Sequence, residues 1–218
     1  MLLINKRLDF DVICFDCDST LSKIEGIDEL AMRVGLGEEL AKLTDAAMNG
    51  EVALEEIYEK RLTLIKPDRT TLKWLADLYI AELVDGAKDV FAKLHEQNKT
   101  IHIISGGLLP AILPLAKLLN VPIQNVHAVD VYFSENGDYF GYETDSLLAK
   151  NGGKAAVIKS LKATNLVMIG DGKTDLEAKD AGATVIGFGG VVNRKLVQEN
   201  ADLFVDNQNL TAILPFLI

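Results

Sequence analysis

The stretch Val12-Ile13-Cys14-Phe15-Asp16-Cys17-Asp18-Ser19-Thr20 joins four consecutive apolar residues to a turn that carries two carboxylates two positions apart. An unbroken apolar run, rather than one alternating with polar residues, is what a strand covered on both faces of a parallel sheet requires. The same form recurs at Ile101-His102-Ile103-Ile104, Leu166-Val167-Met168-Ile169, Val185-Ile186-Gly187-Phe188 and Leu203-Phe204-Val205. Helix-forming stretches follow from Gly153 to Lys162, Thr174 to Ala181, Val191 to Asn200 and Asn209 to Leu217, each too short to be stable without a sheet to pack against. The sequence therefore predicts an α/β fold with a doubly wound, Rossmann-like parallel sheet.

Two irregularities interrupt this pattern. The interval between Phe15 and Ile101 is far longer than the later ones, and from Ile24 to about Leu83 it is helix-forming throughout, with Leu30, Val34, Leu40, Leu43, Met48, Leu54, Ile57, Leu62 and Leu75 at spacings near three and four. This predicts an inserted helical cap domain, 24–83, dividing a core formed by 1–23 and 84–218. In the second irregularity, Val131-Tyr132-Phe133 and Tyr139-Phe140-Gly141-Tyr142 flank Glu135-Asn136-Gly137-Asp138. Asn-Gly between apolar runs is a strong hairpin signal, so a small β-hairpin flap is expected at about 126–143.

Composition narrows the chemistry. The 218 residues hold 22 Lys plus Arg against 32 Asp plus Glu, a formal net charge of −10. That sign opposes holding nucleic acid or an anionic membrane surface, so neither is expected as a partner. No apolar run approaches the ~18 residues that span a bilayer, and Asn5-Lys6-Arg7 follows Met1 too closely for a secretory leader, which points to the cytoplasm. Cys14 and Cys17 form the only Cys-x-x-Cys, but at the end of a strand rather than the start of a helix, so buried reduced thiols are expected instead of a redox pair. His95, His102 and His127 lack ligand spacing and are read as structural.

In open α/β sheets ligands bind at the carboxyl ends of the strands, and there the polar residues gather. Asp16-Cys17-Asp18-Ser19-Thr20 follows the first run and Gly170-Asp171-Gly172-Lys173-Thr174-Asp175 follows Leu166 to Ile169. Ser105-Gly106-Gly107 follows Ile101 to Ile104 and is read as opening a helix, and Gly152-Gly153-Lys154 marks another helix start. Carboxylates, a hydroxyl, backbone amides and an ammonium at adjacent strand ends suit Mg²⁺ and a phosphate together. Each motif alone could be a cap, a turn or a solvated charge. Their conjunction in this order carries the reading.

These motifs in this order resemble the haloacid dehalogenase-like phosphohydrolases. The likeness extends to Glu25-Gly26-Ile27-Asp28-Glu29-Leu30, Arg61-Leu62-Thr63-Leu64-Ile65-Lys66-Pro67 and Ile186-Gly187-Phe188-Gly189-Gly190, nearly the whole chain. It implies Mg²⁺-dependent hydrolysis of a small phosphomonoester, O-phospho-L-serine, by a monomer or homodimer. It further implies Asp16 as nucleophile and Asp18 as acid and base, with Mg²⁺ held by Asp16, the backbone carbonyl of Asp18 and Asp171. The phosphoryl oxygens would rest on Ser105, Gly106 and Lys154, with Gly107 and Thr174 as further contacts and Thr20 and Asp175 in support. Glu25 would meet the substrate ammonium and Arg61 its carboxylate, with Met48 and Leu54 walling the pocket. The chain departs from the family at Leu54, where an aromatic residue is common, and at Lys173, where a small one is.

Three alternatives remain open to the sequence. A dehalogenase of the same fold needs neither a second acid nor Mg²⁺, so Asp18 speaks against it. A phospho-accepting receiver module shares the Asp, Ser and Lys but lacks the helical insert and the acid two residues on. A phosphatase or phosphotransferase for another small phosphomonoester differs only at Glu25 and Arg61.

Overall fold

The structure, a computed structural model, describes residues 10–218; the Met1 to Arg7 segment, and with it the reading of the leader, lies outside the described residues. Six parallel strands form one sheet in the order β3-β2-β1-β6-β7-β8: β1 Val12–Phe15, β2 Thr100–Leu108, β3 Val126–Val129, β6 Leu166–Gly170, β7 Thr184–Phe188 and β8 Leu203–Val205. β1 lies in the interior of the sheet, with the chain winding outward to β3 on one side and to β8 on the other. The central strands are sealed on both faces: Ile13, Phe15, Ile103, Ile169 and Ile186 are wholly buried, which is why their sequence does not alternate.

Between β1 and β2 run α1 Gly26–Arg33, α2 Gly37–Met48, α3 Leu54–Ile65 and α4 Arg69–Ala81, then α5 Ala87–Glu96. Local signals set the ends of these helices. Lys66 closes α3 in the left-handed region (φ 48), Pro67 follows, and the Asp68 side chain accepts from Thr71 N at 2.6 Å to cap α4. Phe91 of α5 lies against Phe15 with ring centroids 4.8 Å apart, fastening the sheet to the helix layer. No helix among the described residues is long and apolar enough to cross a membrane.

The structure corrects five local expectations. Ser105-Gly106-Gly107 does not open a helix: β2 runs on to Leu108 through a shift in its pairing with β3 between Ile104 and Leu108, and α6 spans Leu109–Leu118 with Pro110 in its first turn. The hairpin is narrower than 126–143. Val126 and Val129 are buried as the edge strand β3, leaving β4 Val131–Phe133 and β5 Tyr139–Tyr142 as the antiparallel pair. The helix expected from Val191 starts only at Lys195, because Arg194 before it is extended (φ −92, ψ 120) and turned inward. The two remaining stretches are divided: α8 Lys173–Leu176 continues as a 3-10 turn, and a 3-10 turn at Leu210–Ile213 precedes α10 Leu214–Leu217, whose first turn holds Pro215. Helix α7, Gly153–Ser160, and α9, Lys195–Asn200, complete the chain.

Outside the sheet ends, His102 and His127 on neighbouring strands share a 3.1 Å contact between ring nitrogens, and burial pushes His102 down to about 4. Cys14 and Cys17 are free and buried, and burial pushes both thiols up, so neither supplies the thiolate a redox pair needs.

Candidate active site

The end of β1 sets the geometry. Asp16 N donates to Ile169 O at 2.9 Å, so the ladder with β6 continues to the first acidic residue and brings it level with Gly170. The next turn closes on itself, with the amides of Thr20, Leu21 and Ser22 all donating to Cys17 O. Ser19 takes φ 51 in that turn, a conformation uncommon for a residue with a side chain, and its hydroxyl donates to Glu25 Oε1 at 2.7 Å.

Lys154 enters from the first turn of α7. Its Nζ lies 2.8 Å from Asp16 Oδ2 and 2.6 Å from Asp175 Oδ1, and all three side chains are buried. The other oxygen of Asp175 accepts from Gly172 N at 3.0 Å. Asp175 folds back against Gly170, where a Cβ would run into its carboxylate, so the strand must end in glycine at that point. Asp171 accepts from Thr20 Oγ1 at 3.2 Å and from Arg194 Nε at 3.3 Å.

Asp16, Asp171 and Asp175 each present a carboxylate oxygen within 4.8 Å of the others. Burial, and after it the charge of Asp16, pushes Asp171 up to about 7. Clustered hard oxygens held against their own repulsion fit a divalent cation with oxygen ligands. The carboxylate completing the cluster is that of Asp175, not that of Asp18. Both Asp175 oxygens are already engaged by Lys154 and Gly172. The Asp18 side chain turns the other way, its Oδ1 accepting from Gly26 N at 2.6 Å and Tyr79 OH at 2.7 Å, and its Oδ2 from Ser105 Oγ at 3.3 Å.

One cavity connects these groups to the helices. Asp16, Asp18, Glu25, Met48, Leu54, Arg61, Ser105, Gly106, Gly107, Lys154, Asp171 and Thr174 all line it, while Thr20 and Asp175 stand behind. Arg61 on α3 is only 4% exposed, donates from Nη1 to Thr44 Oγ1 at 3.1 Å, and has no partner at Nε. A buried guanidinium lacking a partner on one face costs stability unless a ligand supplies it. Burial holds Arg61 below its ordinary range and pushes Glu25 well up.

Sequence reasoning missed Tyr58, Tyr79 and Arg194. Tyr58 OH donates to Gly106 O at 2.8 Å, and Arg194 reaches Asp171, Asp45 Oδ1 at 3.1 Å and Glu25 Oε1 at 3.8 Å. The two tyrosines fall at helical core spacing. Arg194 is one of two adjacent cations, with Lys195, in a stretch read as helix, so only the tertiary structure shows its place.

Residues 10–181 match the family described as haloacid dehalogenase-like hydrolase, and the chain belongs to that family. Among curated proteins, phosphoserine phosphatase of Homo sapiens is 38% identical over 199 residues, covering 89% of this chain and 88% of that one. The chloroplastic phosphoserine phosphatase of Arabidopsis thaliana is 36% identical, covering 89% of this chain and 68% of that one. Among solved structures, a phosphoserine phosphohydrolase-like protein from Francisella tularensis superposes with TM-score 0.87 at 24% identity over 95% of this chain and 100% of that one, which shows the fold. Both of these curated relatives, matched along most of this chain, are phosphoserine phosphatases.

Proposed function

We propose that this protein hydrolyses O-phospho-L-serine to L-serine and phosphate through an aspartyl-phosphate on Asp16, in the cytoplasm and with Mg²⁺. The observation that carries the substrate is that one cavity holds the Asp16–Lys154 pair and the partnerless Nε of buried Arg61. A phosphate monoester bearing an amino-acid carboxylate supplies what both lack, and Glu25 in the same cavity faces the ammonium.

In the first step a carboxylate oxygen of Asp16 bonds to phosphorus as the bond to the serine oxygen breaks, and Asp18 gives that oxygen its proton. In the second step Asp18 takes a proton from water, whose oxygen attacks phosphorus and frees Asp16 and phosphate. Lys154 and Ser105 hold the remaining phosphoryl oxygens, each such donor being worth on the order of 3 kcal/mol of barrier. Asp16, Asp171 and the backbone carbonyl of Asp18 would hold Mg²⁺, which when bound would supply positive charge that draws electron density from phosphorus. Helices α1 to α4, over 24–83, serve as a cap that carries Arg61 and closes the site from water, on a core of 1–23 and 84–218, of which 1–9 lie outside the described residues.

A phosphate-release panel over phosphoserine, phosphothreonine, phosphoethanolamine and unrelated small phosphomonoesters, with and without Mg²⁺, tests this. Phosphoserine is expected to lead by orders of magnitude and only with the metal. Equal rates across the panel would reject the substrate.

A further inference from the structure

We infer that Tyr79 is a positioning residue for proton transfer, whose phenol fixes which oxygen of Asp18 carries the proton. This rests on the reading of Asp18 as acid and base. Oδ1 of Asp18 accepts from both Tyr79 OH at 2.7 Å and Gly26 N at 2.6 Å, so its two lone pairs face two donors. The amide can only donate. The phenol donates its proton to the other lone pair.

Oδ2 has a single, longer contact, from Ser105 Oγ at 3.3 Å, and Ser105 Oγ in turn accepts from Gly107 N at 3.0 Å. A hydroxyl can donate or accept, so Ser105 tolerates Oδ2 with and without a proton. At Oδ1 the amide tolerates only a bare lone pair, and the phenol, which donates to the other in this structure, keeps that one filled as well. The proton therefore rides on Oδ2, beside the residue at the end of β2 that belongs to the phosphate side of the cavity. Tyr79 lies on α4, 61 positions along the chain from Asp18, so the helical segment rather than the sheet aims the acid.

Tyr79→Phe removes one oxygen and keeps the buried ring. Single-turnover release of the leaving group is followed for phosphoserine, whose alkoxide needs a proton to depart, and for acetyl phosphate, whose acetate does not. The expected result is a loss of about tenfold or more in serine release with KM within about twofold, and little change with acetyl phosphate. Serine release at the wild-type rate, or equal losses with both substrates, would overturn the inference. A melting temperature that drops while both rates fall would mark a structural role and overturn it as well. Wild-type protein that releases acetate but no serine would remove the phosphoserine reading itself, a separate failure.

Discussion

Nε of Arg194 lies 3.3 Å from Oδ2 of Asp171, and the same guanidinium reaches Asp45 on α2, 3.1 Å from Nη1. A single buried cation thus ties the loop after β7, the acidic end of β6 and the helical segment together, with Glu25 Oε1 standing 3.8 Å away. Removing one member of a buried charge group leaves the others uncompensated, at a cost of about 3–5 kcal/mol.

Arg194→Met is therefore expected to destabilise the protein by about 3 kcal/mol in denaturant titrations without metal. Mg²⁺ should recover a larger share of stability in the variant than in the wild type, because the ion replaces charge that Asp171 has lost. An unchanged midpoint without metal would contradict this.

Arg61→Ala should lower kcat/KM for phosphoserine by about 10²–10³-fold, because the substrate carboxylate is then buried without a partner. Phosphoethanolamine, which has no carboxylate, should be turned over slowly by the wild type and almost equally slowly by the variant. The two kcat/KM ratios measured side by side check it, and similar losses for both esters would move the carboxylate elsewhere.

Much of this site is readable in the chain because of where parallel strands end. Asp16, Asp171 and Ser105 each follow an unbroken apolar run, and the sheet order places those runs side by side, so proximity in space follows from topology. Lys154 follows from its place at a helix start. Tyr79 and Arg194 are different. Tyr79 shares a helical face with Leu72, Leu75 and Ala76, all buried, and its hydroxyl matters only through what α4 packs against. Arg194 belongs to a segment whose local pattern reads as helix but which stays extended to deliver a buried side chain. The same limit explains β2: two glycines after a strand resemble a turn locally, and only pairing with β3 keeps them extended.

Metal binding should tighten with rising pH. Burial holds Asp171 up at about 7 in the metal-free protein, so the folded state keeps a proton that the unfolded chain has already lost near pH 4. This acid therefore contributes less stability as pH rises through that window, and the ion can bind only once the proton has left. The rise in melting temperature caused by Mg²⁺ is expected to grow between pH 5.5 and pH 8. Calorimetry in buffers of different ionisation enthalpy should show protons released on binding at neutral pH. A pH-independent rise with no proton release would contradict the assignment of Asp171.

The most direct test is to quench the protein with acid during turnover of phosphoserine and reduce it with borohydride, which converts an aspartyl-phosphate to homoserine. Peptide mass spectrometry should find homoserine at position 16, only when substrate and Mg²⁺ are both present, and Asp16→Asn should yield none. Homoserine at position 18, 171 or 175, or an unmodified Asp16 while phosphate is being released, would contradict the account.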